Sequence, residues 1–319
     1  MDGFRIPVGE WAKAVVDWVK DNLEGLLDFI AFVVRFLVNG LTDILTGTPL
    51  VVVIIIAALI AWAVRSIWMA AGTVALFLVI LGMNLWIPAM QTLALVIVSA
   101  LVAVLIAIPL GIWSARNATV RMILKPVLDF MQTMPAFVYL IPAIVFFSIG
   151  VVPGLVATVI FALPPGVRMT ELGIRGVDSE TVEAGHAFGA SSGQILRGIQ
   201  LPLAMPTIMA GVNQVIMLAL SMAVIAGMAG TDGLGKLVVE AISTVNIAKG
   251  VEAGLGIVLL AVYLDRVTAA LGTPNEYRSS LLGMLSRRQA DRRSASTDAA
   301  AAGAEAAKLT ASGQRRGVL

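Results

Sequence analysis

Apolar residues in this chain come in long blocks separated by short polar or basic punctuation. Seven such blocks follow residue 48, at about 49–64, 67–85, 88–114, 134–149, 152–167, 206–229 and 251–264. A helix crossing the hydrocarbon core needs about 20 predominantly apolar residues, or about 17 at the short end. The first, fourth and fifth blocks are therefore expected to extend into their flanks. Pro109, Pro142 and Pro164 fall inside blocks, where a bundle can satisfy the backbone groups that proline frees. Residues 6–45 have a different pattern. Asp17, Asp21, Glu24, Asp28 and Arg35 recur at helical spacings among Trp11, Val15, Trp18, Leu26, Phe29, Val33 and Phe36. A charge at mid-bilayer costs several kcal/mol, so this stretch is read as an amphipathic helix at the interface. A crossing over residues 26–45 is the competing reading.

Composition supports a membrane setting. Of 319 residues, 59% are hydrophobic and only 13% charged, and the mean hydropathy is +0.94. Soluble domains carry about 25% charged residues, so a soluble fold is excluded. The chain has no cysteine and one histidine, His186. That excludes disulfides, thiol chemistry and a histidine-built metal site.

Basic residues set the expected orientation. Arg65, Arg116, Arg121, Lys125, Arg168, Arg175, Arg197 and Arg266 all follow odd-numbered blocks, whereas the opposite loops hold only Lys236 and Lys249. The positive-inside rule puts the first group in the cytoplasm, with the N-terminus outside and the C-terminus inside. Trp62, Trp68, Trp86 and Trp113 lie near block ends, as interfacial tryptophans do. Three regions follow: an N-terminal outer segment (1–48), a membrane domain (49–272) with a cytoplasmic loop at 168–205, and a basic, low-complexity tail (273–319). The tail's composition favours disorder.

The cytoplasmic loop reads as two short helices. Asp178 or Ser179 can cap the first, and Gly189 stands where a left-handed C-terminal residue is wanted. Ser191 and Gln194 have capping-box spacing for the second, which Pro202 is expected to end. Ile195, Leu196 and Ile199 form an apolar ridge on it. A helix–glycine–helix knuckle leaving a bundle is a docking element. Glu183, Ala184, Gly185, then Gly189, then Ile199, Leu201 and Pro202 resemble the EAA-x3-G-x9-I-x-LP signature of ABC importer permeases, departing at Gly185, where alanine is usual. Residues 129–150 (DFMQTMPAFVYLIPAIVFFSIG), 161–168 (FALPPGVR) and 200–226 are similar to permeases of the glycine betaine/proline (osmoprotectant, quaternary-amine) importers.

The resemblance implies an all-α integral membrane protein with the type I importer bundle, about seven transmembrane helices preceded by the amphipathic helix. It implies cell-membrane residence and alternating access driven by a cytoplasmic ATP-binding subunit, which would bind the ATP and magnesium. It further implies an extracytoplasmic substrate-binding protein or domain and a second permease copy, with no nucleic acid and no catalytic residue here. Glycine betaine, proline betaine, choline, carnitine and proline are the implied cargo class.

Residues 230–236 (GTDGLGK) match most of a phosphate-cradling loop, but Leu237 stands where the magnesium-binding hydroxyl belongs, and the expected topology puts this loop outside. The blocks hold almost no ionisable residue, whereas proton-driven transporters usually place carboxylates or histidines within the bundle. Gln132, Thr133, Tyr139, Asn213, Gln214 and Ser221 are the neutral polar residues that could line a weak path for a zwitterion. The alternative for them is helix-to-helix hydrogen bonding.

Overall fold

A computed structural model describes residues 7–272; the expected disordered tail lies outside the described residues. Every element among them is helical. Helix α1 (Val8–Gly47) is kinked at Leu23, where φ is −121° and ψ 20°. Its second half buries Ala31, Val34 and Val38 against the bundle and leaves Asp28, Arg35, Asn39 and Asp43 exposed. The amphipathic character read from the sequence is present, but this half is packed onto the other helices.

Each of the seven apolar blocks is helical. Helices α2 (Leu50–Val64) and α3 (Ile67–Gly82) form a hairpin whose turn is capped by Ser66, which accepts from the Met69 N–H. At 15 and 16 residues they span roughly 23 Å at 1.5 Å per residue, less than the ~30 Å hydrocarbon core. Helix α4 (Trp86–Arg116) carries Pro109 without breaking. Helix α5 (Ala118–Thr133), capped by Asn117, is followed by a 3-10 turn (Ala136–Tyr139) and α6 (Leu140–Phe147), with a bend of 109° between them. Helix α7 (Val151–Arg175), α8 (Ser179–Ala187), α9 (Ser192–Ile195), α10 (Leu201–Ala226), α11 (Leu234–Ser243) and α12 (Ile247–Gly272) complete the order. Among the described residues five helices are long and apolar enough to cross a membrane, α1 among them, or six if the bent pair is one span.

The core is α4, α7 and α10. Small residues let their backbones close together: a Cβ added to Gly166 would stand 2.8 Å from Ala107 Cβ and 3.0 Å from Val215 Cγ2. Around this centre α12 packs through Leu260, Tyr263 and Leu264, and the Tyr263 hydroxyl donates to the Ala57 carbonyl at 3.3 Å.

Two boundaries differ from the sequence reading. Helix α7 continues past Val167, where the fifth apolar block ends, to Arg175, while the two short helices expected in the loop are present as α8 and α9. A charged extension is no obstacle to a helix that is leaving the hydrocarbon. Between residues 230 and 250, where a loop was expected, α11 packs antiparallel on α12, with Leu234 against Gly256 and Ala241 against Gly250.

Candidate functional site

The water-facing knuckle is assembled from local rules. Helix α7 stops at Gly176, and Asp178 opens α8 by accepting from the Glu180 N–H at 3.1 Å. At the other end Gly189 has φ +81°. The Gly189 N–H donates to His186 O at 2.9 Å and the Ala190 N–H to Gly185 O at 3.1 Å, which together make a Schellman cap. Ser191 then forms a reciprocal capping box: its hydroxyl oxygen accepts from the Gln194 N–H at 3.4 Å, and Gln194 Oε1 accepts from the Ser191 N–H at 2.7 Å.

Pro202 does not end the second helix. Leu196–Gln200 form one π-helical turn, the Leu201 N–H donates to Leu196 O, and Pro202 follows in the first turn of α10. The wider turn brings in a residue with no N–H to donate without a break. Ser192–Ala229 is therefore one continuous helical rod joining the knuckle to the membrane.

The ridge expected to meet a partner faces inward. Leu196 is buried with Ile174, Ala204 and Ile208, Ile195 is buried with its side chain toward Gly185 of the first arm, and Ile199 and Leu201 are half-buried. Glu183, Ala184 and Pro202 are exposed. The group presented to water is Phe188, 92% exposed beside the Gly189 turn. The sequence reading did not single out Phe188; an aromatic next to a left-handed glycine is the signal that could have found it. Gly185 is the crossing point of the two arms, since a Cβ there would lie 2.9 Å from Ile199 Cδ1 and 3.4 Å from Ile195 Cγ1. Alanine at this position would require the Ile199 tip to give way.

The polar residues of the crossings do not form one cluster. Asn213 Nδ2 donates to Asp265 Oδ1 at 2.9 Å, and the Thr268 hydroxyl donates to Asn213 Oδ1 at 2.6 Å, tying α10 to α12. The Tyr139 hydroxyl donates to the Met131 carbonyl, and its ring meets Phe161 edge-on with centroids 6.0 Å apart. Gln132 and Thr133 are exposed at the end of α5, and the Thr133 hydroxyl donates to Phe130 O at 2.9 Å. Gln214 and Ser221 are exposed two turns apart on one face of α10, where Ser221 donates to Met217 O at 3.0 Å.

The glycine-rich run at 230–236 is a packed junction. Leu234 N–H donates to Thr92 Oγ1 at 2.8 Å, and the Thr231 hydroxyl donates to Gly150 O at 3.0 Å. A Cβ on Gly235 would stand 2.4 Å from Ala223 O, so backbone occupies the space a phosphate would need. Lys236 is paired with Asp232 at 2.8 Å. The hydrogen bond it donates to Asp232, then the charge of that carboxylate, holds the Lys236 ammonium above its ordinary range. Among the described residues no group of three metal-ligating side chains occurs.

Residues 107–273 match the family model described as binding-protein-dependent transport system inner membrane component. The chain is 47% identical to the glycine betaine transport system permease protein OpuAB of Bacillus subtilis over 86% of its own length and 98% of the relative's. It is 46% identical to the glycine betaine/proline betaine transport system permease protein ProW of Escherichia coli, over 86% and 78%. The glycine betaine/carnitine transport permease protein GbuB of Listeria monocytogenes is 46% identical over 83% and 95%. Among solved structures, a chain of the MetNI methionine ABC transporter in an inward-facing conformation superposes with a TM-score of 0.54 at 22% identity, covering 59% of this chain and 94% of that one.

Proposed function

The chain belongs to the family of binding-protein-dependent transport system inner membrane components, and from that premise we propose that it admits glycine betaine, proline betaine or a related quaternary amine, driven by a separate ATPase subunit. The chain is a multi-pass membrane permease of the ABC importer class. In this reading ATP and magnesium belong to the ATPase, and this chain catalyses no reaction. An extracytoplasmic binding protein selects the cargo, and a second copy of the permease completes the passage. The basic loops and the knuckle face the cytoplasm, and the α11–α12 hairpin faces outside.

The observation that carries the proposal is the knuckle: an exposed Phe188 on a capped turn, joined to the membrane by the unbroken rod of α9 and α10. A partner gripping Phe188 moves α10, and the Asn213–Asp265–Thr268 bonds pass that motion to α12. Such a rigid two-position element is what alternating access needs, because a ligand shifts an equilibrium only by its different affinity for the two states. Gln132, Thr133, Tyr139, Gln214 and Ser221 are neutral, which suits a weakly held zwitterion, since a conducting path must release what it binds.

The test is reconstitution in proteoliposomes with the ATPase and binding protein, following labelled glycine betaine. Uptake is expected only with ATP and both partners. Phe188→Ala removes a side chain whose burial is worth about 2 kcal/mol, so ATPase-subunit affinity should fall about thirtyfold. Uptake that survives loss of the ATPase and collapses with an ion gradient would refute the assignment.

A further inference from the structure

A second polar site lies between α5 and α7. Arg121, Lys125 and Leu128 repeat at four and three residues, so they share one face of α5. They face Arg168, Glu171 and Arg175 on α7 across a cavity of about 400 Å³. Leu128 anchors the floor, buried with Val167 and Ala107. Two carboxylates are present and both are engaged. Asp129 takes Arg168, and Glu171 Oε2 accepts from the Ser114 hydroxyl at 2.7 Å. Arg121, Lys125 and Arg175 have no hydrogen-bond or ion-pair partner among the described residues.

Arg121, Lys125 and Arg175 outnumber Glu171, the one lining carboxylate, three to one; an excess of like charge destabilises a fold, so an anion in this groove would relieve a standing repulsion. The surroundings specify what kind. The outer face of α5 is apolar and exposed, with Met122 75% and Ile123 61% accessible, and Leu172 beside the groove on α7 is 60% accessible. A cationic slot rimmed by exposed apolar side chains suits a molecule with an anionic head and hydrocarbon tails. A soluble anion would use the slot and leave the rim uncovered.

We propose that this groove holds the headgroup phosphate of an anionic phospholipid in the cytoplasmic leaflet, with its acyl chains along Met122, Ile123 and Leu172. Basic pockets between helices at the cytoplasmic face bind such headgroups through charge-assisted contacts. The leaflet assignment rests on the sidedness proposed above; the lipid class does not.

The test uses the full-length chain with its partner subunits in neutral detergent. It is titrated with phosphatidylglycerol and with phosphatidylcholine of the same acyl chains, and bound lipid is counted by native mass spectrometry. The first site should prefer phosphatidylglycerol by roughly tenfold or more, with the preference shrinking as salt is added. Arg121→Gln, Lys125→Gln and Arg175→Gln should each lower it, by about fivefold per cation removed. Arg121→Lys should retain most of it. Equal binding of the two lipids by the unaltered protein overturns the proposal and requires no variant to fold. So does an unchanged preference in the triple glutamine variant. Displacement of phosphatidylglycerol by millimolar inorganic phosphate would overturn the lipid assignment in favour of a soluble anion. Detergent exposes both faces, so a reversed topology would leave these results unchanged and would be found instead by protease access to the loop at 176–191.

Discussion

Gly189 separates two ways in which a substitution in the knuckle could fail. It sits at φ +81°, and an added Cβ would meet nothing within 4 Å. Side-chain size is therefore not limiting; backbone handedness is. An L-residue pays about 1–2 kcal/mol to hold the left-handed conformation, less for asparagine, whose short polar side chain tolerates it. Taking about 1.4 kcal/mol for Gly189→Ala, the population of correctly turned knuckles relative to unturned ones falls about tenfold. Gly189→Leu should cost about the same, Gly189→Val more because of β-branching, and Gly189→Asn least. The assay is ATPase-subunit affinity by titration onto the detergent-solubilised permease, with ATP-driven uptake as the second reading. A series ordered by volume, with leucine far worse than alanine, would refute the conformational argument and show that a partner surface closes over the turn.

Two further substitutions test the outer junction. Gly235→Ala puts a Cβ 2.4 Å from Ala223 O and 2.8 Å from Val224 Cα, neither of which can swing away, so α11 must leave α10 at a cost of about 3 kcal/mol. Gly254→Ala has open space and should stay within about 0.5 kcal/mol. Equal thermal shifts for the two would discredit the packing. On the same hairpin the hydrogen bond from Lys249 to Glu240 (2.6 Å), then the lysine charge, holds the Glu240 carboxyl below its ordinary range. A depressed folded-state pKa contributes stability above the unfolded value of about 4.3, and that contribution is lost as pH falls through the lower folded value. Intrinsic-rate-corrected hydrogen exchange in α11 should therefore speed up in acid relative to α10. An identical acid response in Glu240→Gln would remove the carboxylate from the explanation.

What the sequence made legible was local. Asp178, Gly189, Ser191 and Gln194 act on neighbours within five residues, so their spacing alone specifies caps and turn. The apolar blocks were legible because the bilayer demands them. What stayed hidden depends on tertiary choice. Ile195 and Leu196 form an apolar stripe that could have faced a partner, and only the packing of Leu196 on Ile174 and Ile208 and of Ile195 toward Gly185 turns it inward. Helix α11 was read as a loop because Lys236 and Glu240 interrupt a short apolar face that is needed only once α12 returns beside it. Asn213 and Asp265 are 52 residues apart, and nothing in either neighbourhood announces the other. Pro202 misled because a proline stops a regular helix, and the π-helical turn that admits it has no local signature.

The unbroken run from Ser192 to Ala229 also sets where the chain tolerates a change of length. Adding one residue at 176–177, between the end of α7 and the Asp178 cap, alters only a connector. Adding one between Leu203 and Pro206 turns everything downstream through about 100°. Ala219 and Ala223 would leave their contacts in the core, and Gln214 and Ser221 would change facing. Natural length variation among descendants of this gene should therefore gather in the connectors and avoid the rod, whatever cargo each descendant came to carry.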